Sequence, residues 1–255
     1  MRLQGKRAVI TGAGRGIGAV VARELVQEGC QVVVAARTSS EIDALARELG
    51  ENALAHPCDV SSPESIKALA AFAIERMGGV DILINNAGVS SAAPLKSLSL
   101  EEWNRVISIN ATGAMLCTQA FLGGMIKQNW GRIVTVASVA SLAGSKYMSA
   151  YCASKHAVMG FTRAVADEVA RNGVTINAVC PGFVNTPMTQ GSVDNIVRTT
   201  GRSPEQALEA LTRLNPQGRL IEPEEVSYAV LCLCDPRALG INGQAIVMDG
   251  GALLA

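Results

Sequence analysis

Short apolar runs alternate with stretches of helical period along almost the whole chain. The apolar runs predict seven strands, at 8–11, 31–36, 53–58, 82–85, 132–137, 175–179 and 244–248. Between them, apolar positions recur at helical spacing near 17–28, 40–49, 62–77, 100–128, 149–172 and 223–234. Regular alternation of this kind predicts right-handed βαβ units and an α/β fold, a doubly wound seven-stranded parallel sheet flanked by helices.

One segment, 187–222, breaks this alternation. It is polar, holds Gly191, Gly201 and Pro216, and contains helical stretches without a strand. An excursion of this length between a strand and the next helix is typical of a lid or a wall of a binding site. No composition break, linker or repeat divides the chain, so we expect residues 1–255 to form one domain with a substrate lid at about 187–222.

Composition narrows the class of protein. Of 255 residues, 49% are apolar and only 4% aromatic, and 22 basic side chains balance 22 acidic ones. Balanced charge without long runs of one sign disfavours a nucleic-acid or anionic-membrane surface. The seven cysteines form no CxxC pair and the two histidines no ligand cluster, which predicts free buried thiols and no bound metal. Without a signal peptide or an apolar run of the ~18 residues that a membrane span needs, we expect a cytoplasmic protein.

A glycine-rich loop, TGAGRGIG at 11–18, follows the first predicted strand. Glycines allow backbone amides to approach a pyrophosphate, and the next helix contributes its positive N-terminal end. The loop fits T-G-x-x-x-G-x-G rather than G-x-G-x-x-G. Alone, it is compatible with either a dinucleotide site or a plain tight turn.

A second candidate motif is YCASK, at 151–155. In a helix, positions i and i+4 share one face, so the Tyr151 phenol and the Lys155 ammonium can meet over a common ligand. A charge ~4–5 Å away at an effective dielectric constant of ~20 is worth about 3–4 kcal/mol. We therefore expect Lys155 to bring the tyrosine pKa, ordinarily ~10, toward neutrality. Alone, this spacing also occurs by chance in many helices.

Further motifs lie at or near the carboxyl ends of predicted strands. NNAG (85–88) ends the fourth strand, Ser138 the fifth, and NAVCPGFVNTP (177–187) the sixth, while Asn110 lies in the long helix before the fifth. Ligands of open α/β sheets bind at this edge. The spacing therefore predicts that these groups surround one site.

Jointly, these motifs resemble the single-domain short-chain dehydrogenases/reductases, which have a Rossmann fold. The likeness covers nearly the whole chain and also rests on CDV (58–60), PG (181–182), Thr186 and DGG (249–251). The run 151–188 is similar to β-ketoacyl-[acyl-carrier-protein] reductases and aromatic-polyketide ketoreductases.

The resemblance implies a role for each candidate residue. Tyr151 would exchange a proton with the substrate oxygen, which Ser138 would position. Lys155 would hold the nicotinamide ribose and Asn110 a water molecule of a proton relay. The implied cofactor contacts are Gly12, Arg15, Ile17, Arg37, Asp59, Val60, Asn86, Tyr151, Lys155, Val184 and Thr186. The expected walls of the substrate pocket are Val139, Ala140, Leu142, Met148, Gly182, Phe183 and Met188.

The end of the second strand bears on the cofactor. In this family an acidic residue there marks NAD, whereas basic residues there or in the glycine loop mark NADP. This chain has Arg37 after the strand and Arg15 in the loop. Two guanidinium groups suit a 2′-phosphate, which carries about −1.5 to −2 charges. We therefore expect NADP(H) to be preferred over NAD(H).

The predicted activity is NADP(H)-dependent reduction of a ketone, either a β-ketoacyl thioester or a cyclic ketone, to a secondary alcohol. Two alternatives remain: an NAD(P)-dependent dehydrogenase that oxidises a secondary alcohol or hydroxyacyl thioester, and a non-catalytic NADP(H)-binding regulator. The intact catalytic set disfavours the regulator. The resemblance further implies a homotetramer that pairs the helices near 100–128 and 149–172 and the chain's last strand and helix. We expect neither a nucleic-acid nor a membrane partner.

Overall fold

Seven parallel strands form one sheet in the computed structural model, which describes residues 2–254. The strands are β1 (Arg7–Thr11), β2 (Gln31–Ala36), β3 (Ala53–Pro57), β4 (Ile82–Asn85), β5 (Gly131–Val136), β6 (Val174–Pro181) and β7 (Ala245–Met248). Their spatial order is β3-β2-β1-β4-β5-β6-β7. The order changes direction between β1 and β4, where such sheets leave a crevice at the carboxyl ends of the strands. The predicted doubly wound sheet is confirmed.

Helices cover both faces of the sheet. They are α1 (Gly16–Gln27), α2 (Ser39–Leu49), α3 (Pro63–Met77), α4 (Leu100–Ile107), α5 (Gly113–Lys127), α6 (Ser149–Glu168), α7 (Pro187–Thr200), α8 (Pro204–Thr212) and α9 (Pro223–Cys234). The predicted excursion 187–222 contains α7 and α8 and no named strand.

The alternation of side chains along each strand divides the core into two halves. In β1, Ala8 and Ile10 pack on the face covered by α1, α2 and α9, whereas Val9 packs on the face of α3 and α5. All six residues of β5 and all eight of β6 are buried. Strands buried on both faces need continuous apolar runs, which is why the sequence pattern located them.

The predicted boundaries differ from the observed ones most in three places, and elsewhere by one residue at most. β6 ends at Pro181, two residues later than predicted, because its pairing with β7 continues to Pro181 and Met248. The helix near 149–172 ends at Glu168 and continues as a turn. The long helix near 100–128 is interrupted between α4 and α5 by a π-helical turn, Ser108–Thr112.

The helical run Leu100–Lys127 is long and apolar enough to cross a membrane, with a mean hydropathy of 1.3 over 18 residues. This departs from the expectation that no such run exists. The run has Glu101 and Glu102 in its first turn, and its second half packs Cys117, Phe121 and Met125 into the core against β4 and β5. Its apolar character is therefore explained by packing on the sheet.

Candidate active site

The glycine loop joins β1 to α1 and has the geometry of an anion cradle. Gly12 and Gly16 adopt φ of +65° and +57°, which L side chains rarely adopt. A Cβ on Gly18 would overlap the amide of Asn86, so the loop and β4 approach closely. The N-cap residue of α1, Arg15, makes no side-chain capping hydrogen bond, so the first-turn amides remain available as donors. The loop therefore fits a dinucleotide pyrophosphate.

Asn86 and Thr11 fix the shape of this loop. Asn86 Nδ2 donates to the carbonyls of Thr11 and Gly12 at 3.0 and 2.9 Å. Thr11 Oγ1 accepts from the amides of Asn86 and Ala87 at 3.1 and 3.2 Å. The side chain of Asn86, expected to contact the adenosine ribose, is thus engaged by the loop itself.

The two arginines expected at the 2′-phosphate each have an acidic neighbour. Arg15 Nη1 donates to Glu41 Oε1 at 3.1 Å. Arg37 is exposed. The pKa of Asp59 lies below its ordinary value, chiefly because Ser61 donates to its carboxylate and also because Arg37 is positively charged. The sequence interpretation missed Glu41, whose place in the first turn of α2 was the available signal.

The remaining candidate cofactor contacts lie around the same crevice. Val60 is buried in the core beneath α5, and Ile17 packs partly buried at the start of α1. Val184, just before the 187–222 segment, forms a bridge with Ile221 near the end of that segment. A Cβ on Gly16 would lie 3.4 Å from Thr186 Cγ2, so the segment after β6 reaches the glycine loop.

Tyr151 and Lys155 lie one turn apart in α6, and both are buried. Lys155 Nζ donates to the carbonyl of Val136 at 2.9 Å and lies 5.7 Å from the centre of the Tyr151 ring. Ser138 follows β5, and its Oγ accepts from the Ala140 amide at 3.1 Å. The end of β5 and one face of α6 thus bring a phenol, an ammonium and a hydroxyl together.

The pKa of Tyr151 is shifted in the direction opposite to the one expected. Burial raises the pKa of the Tyr151 phenol, and the neighbouring Ser138 side chain offsets this only in part. Burial also lowers the pKa of Lys155 to about 8. The expectation that Lys155 brings the tyrosine pKa toward neutrality is therefore wrong for this structure. The lysine donates to the Val136 carbonyl, and the exclusion of water from a phenolate raises the tyrosine pKa more than the Ser138 hydrogen bond lowers it.

Asn110 lies in the π-helical turn and is 2% exposed. Its Oδ1 accepts from the Val89 amide at 2.8 Å, and its Nδ2 donates to the Val89 carbonyl at 2.9 Å and to Ser154 Oγ at 3.0 Å. Ser154 Oγ in turn donates to the Tyr151 carbonyl at 2.7 Å. π-Turns inside helices are frequent at functional sites. Sequence reasoning missed Ser154, although it stands between Tyr151 and Lys155 in the YCASK motif.

Four of the residues expected to line the substrate pocket follow β5 in the chain. Ala140 and Met148 pack with Tyr151 and Cys152, and Val139 lies in the 3₁₀ turn after Ser138. Leu142 instead packs toward the core residues around Cys180.

The other expected walls follow β6. The Gly182 amide donates to the Met248 carbonyl at 2.9 Å, which fixes the end of β6 against β7. Phe183 packs against Val193, Ala207 and Leu211 and so supports the lid helices α7 and α8. Met188 is exposed at the start of α7.

Residues 6–196 match the family model for short chain dehydrogenase. The chain belongs to the short-chain dehydrogenase family. This short-chain dehydrogenase is 39% identical to a 3-oxoacyl-[acyl-carrier-protein] reductase of Vibrio cholerae, over 98% of each chain. It is 36% identical to a D-beta-hydroxybutyrate dehydrogenase of Rhizobium meliloti, over 96% of this chain and 98% of the relative.

Among solved structures, the short-chain dehydrogenase is similar to a variant of actinorhodin polyketide ketoreductase crystallised with NADPH. The TM-score is 0.93 and the sequence identity 40%, over 97% of both chains. The similarity therefore covers the sheet, the candidate site and the lid helices together.

Proposed function

We propose that this short-chain dehydrogenase is an NADP(H)-dependent ketoreductase that reduces a ketone to a secondary alcohol. The observation that carries the proposal is the buried Tyr151 phenol beside Ser138, kept protonated by its surroundings. A carbonyl that accepts a hydride also needs a proton, and a neutral phenol can donate one. The likeness to a 3-oxoacyl-[acyl-carrier-protein] reductase and to a polyketide ketoreductase supports this direction.

In the proposed mechanism, Ser138 and Tyr151 hydrogen-bond the substrate carbonyl oxygen and orient it. A nicotinamide cofactor, when bound, would supply the hydride. Tyr151 donates its proton to the oxygen as the alcohol forms, and Lys155, which is charged below a pH of about 8, stabilises the negative charge that develops on the phenol. Asn110 holds the Val89 segment against α6, and through Ser154 it fixes the helix that carries Tyr151 and Lys155.

The cofactor would bind along the crevice at the carboxyl ends of β1, β2 and β4. The glycine loop suits the pyrophosphate, while Arg15 and Arg37 supply positive charge for a 2′-phosphate. We accordingly propose a preference for NADP(H) over NAD(H). The relative structure that contains NADPH supports this choice.

For the substrate we propose a β-ketoacyl thioester or a cyclic ketone. The expected pocket walls nearest Tyr151 are uncharged and apolar, namely Ala140, Met148 and the nearby Val139. Exposed Tyr147 and Met188 would extend this surface toward solvent. Such walls favour acyl chains and rings over small charged substrates.

The oxidative direction is the second candidate, because a D-beta-hydroxybutyrate dehydrogenase is 36% identical to this chain. The reactions are distinguished by a panel of ketones with NADPH and of the matching alcohols with NAD⁺ and NADP⁺, followed by nicotinamide absorbance. We expect higher kcat/KM for a ketone with NADPH. Faster turnover of a hydroxyacyl substrate with NAD⁺ would favour the dehydrogenase, and nucleotide binding without turnover of any substrate would favour a regulator.

We also propose a single catalytic domain assembled into a cytoplasmic homotetramer. β7 forms one edge of the sheet, with Val247 exposed. A groove of about 570 Å³ lies between α6 and the start of β7, lined in part by Arg163, Asp167 and Gln244. An exposed strand edge next to a groove suits a second subunit. Light scattering tests the assembly, and a monomer at all concentrations would contradict it.

A further inference from the structure

Glu41 lies in the first turn of α2, directly beside the glycine loop. Its Oε1 accepts from Arg15 Nη1 at 3.1 Å, and the Glu41 side chain is 32% exposed whereas that of Arg15 is 69% exposed. A Cβ added to Gly14 would overlap the Glu41 carboxylate. The carboxylate is thus the more enclosed partner of the pair, and it lies against the loop proposed to bind the cofactor.

We propose that Glu41 lowers the selectivity of this enzyme for the 2′-phosphate of NADP(H), because it competes with that phosphate for Arg15. The inference rests on the proposed use of NADP(H). An anion that binds the Arg15 guanidinium must share it with Glu41 or displace the carboxylate. Sharing leaves a negative charge close to the incoming phosphate, and displacement breaks the hydrogen bond between Arg15 and Glu41.

The second arginine does not remove this competition. Arg37 is also near a carboxylate, that of Asp59, but Asp59 is already engaged by the Ser61 amide and hydroxyl at 2.9 and 2.7 Å. Glu41 has Arg15 as its one side-chain hydrogen-bond partner within residues 2–254. Glu41 is therefore the acidic group whose charge acts most directly on an arginine of the proposed phosphate site.

Glu41→Gln removes the charge and keeps the size of the side chain. It frees Arg15 for the phosphate and removes a like charge at a partly exposed site. We expect the NADPH Kd to fall about three- to tenfold at low ionic strength, and less in physiological salt, where the Debye length is about 8 Å. The NADH Kd should not change, because NADH lacks the 2′-phosphate.

Equilibrium titrations without turnover test this directly. Wild type and Glu41→Gln are titrated with NADPH, NADH, adenosine 2′,5′-bisphosphate and 5′-AMP, the last two carrying no nicotinamide. The matched control is Glu48→Gln, which removes another carboxylate of α2, one that pairs with Arg23 at 2.7 Å. We expect at least threefold tighter binding of NADPH and of the bisphosphate by Glu41→Gln alone. In an Arg15→Ala background, Glu41→Gln should have a smaller effect.

Unchanged or weaker binding of both 2′-phosphorylated ligands by Glu41→Gln would overturn the inference, as would an equal gain in Glu48→Gln. The proposed cofactor preference is tested separately, by the ratio of the wild-type Kd values for NADH and NADPH. A wild type that binds both equally would refute that preference, whereas the inference depends on how the ratio changes in the variant.

Discussion

Ser154→Ala tests how the candidate site is held together. Ser154 is completely buried, accepts a hydrogen bond from Asn110 Nδ2 at 3.0 Å and donates one to the Tyr151 carbonyl at 2.7 Å. Alanine removes both bonds while fitting the same space. Asn110 Nδ2 keeps its bond to the Val89 carbonyl at 2.9 Å, so it is not left without a partner.

The magnitude follows from these contacts. A net hydrogen bond contributes about 0.5–1.5 kcal/mol, so the loss of two predicts about 1–3 kcal/mol of unfolding free energy. For a chain of this size, Tm should fall by about 2–12 °C. If about half of that free energy serves to hold Tyr151 in place, kcat should fall roughly two- to tenfold, with little change in cofactor affinity.

Thr162→Val is the matched control. Thr162 is completely buried in the same helix, and its hydroxyl has no hydrogen-bond partner within the described part of the chain. Valine should therefore leave Tm unchanged or raise it. Thermal unfolding and steady-state kinetics of the two variants measure the difference. A Ser154→Ala enzyme with wild-type Tm and kcat would refute the reasoning that this hydroxyl positions α6.

The remaining predictions concern charge and proton transfer. Tyr151→Phe should retain NADPH binding and the fold but less than a tenth of wild-type kcat, because the ring packs without the proton donor; higher residual turnover would exclude Tyr151 as the donor. Arg15→Ala combined with Arg37→Ala should weaken NADPH binding at least tenfold and leave NADH nearly unaffected, as measured by nucleotide fluorescence; equal losses would mean that neither arginine contacts the 2′-phosphate. Burial lowers the pKa of Lys155 to about 8 from an ordinary 10.5, so between these values the unfolded chain binds more protons than the folded one. Wild-type stability relative to Lys155→Met should therefore rise with pH across that window, and a constant difference in denaturant titrations would contradict this assignment.

The sheet could be predicted because its strands are continuous apolar runs separated by helical periods. Ile10 and Val9 face opposite halves of the core, yet both are apolar, and this pattern is visible without coordinates. The π-turn around Asn110 could not be predicted in the same way. Its residues have ordinary helical spacing, and the extra backbone width is stabilised by bonds to Val89 and Ser154, which lie far away in sequence.

The same limit applies to the electrostatics of the site. The spacing of Tyr151 and Lys155 was sufficient to predict that they share a helix face. The direction of the tyrosine pKa shift is set by burial, which is not visible in the motif. The hydrogen bond from the lysine to the Val136 carbonyl is not visible there either. Likewise, the sequence predicts Arg15 as a phosphate ligand, but its pairing with Glu41 depends on how α2 packs beside the glycine loop.

The proposed reaction transfers a hydride from NADPH to a ketone, and Tyr151 of the protein supplies the proton. The most direct test uses NADPH deuterated at the transferred position with a panel of β-ketoacyl thioesters and cyclic ketones, and analyses the products by mass spectrometry. We predict one deuterium on the carbinol carbon of each alcohol formed, and no such product above a tenth of the wild-type rate with Tyr151→Phe. Failure of the wild-type protein to transfer deuterium to any ketone, although it binds NADPH, would contradict the proposed function.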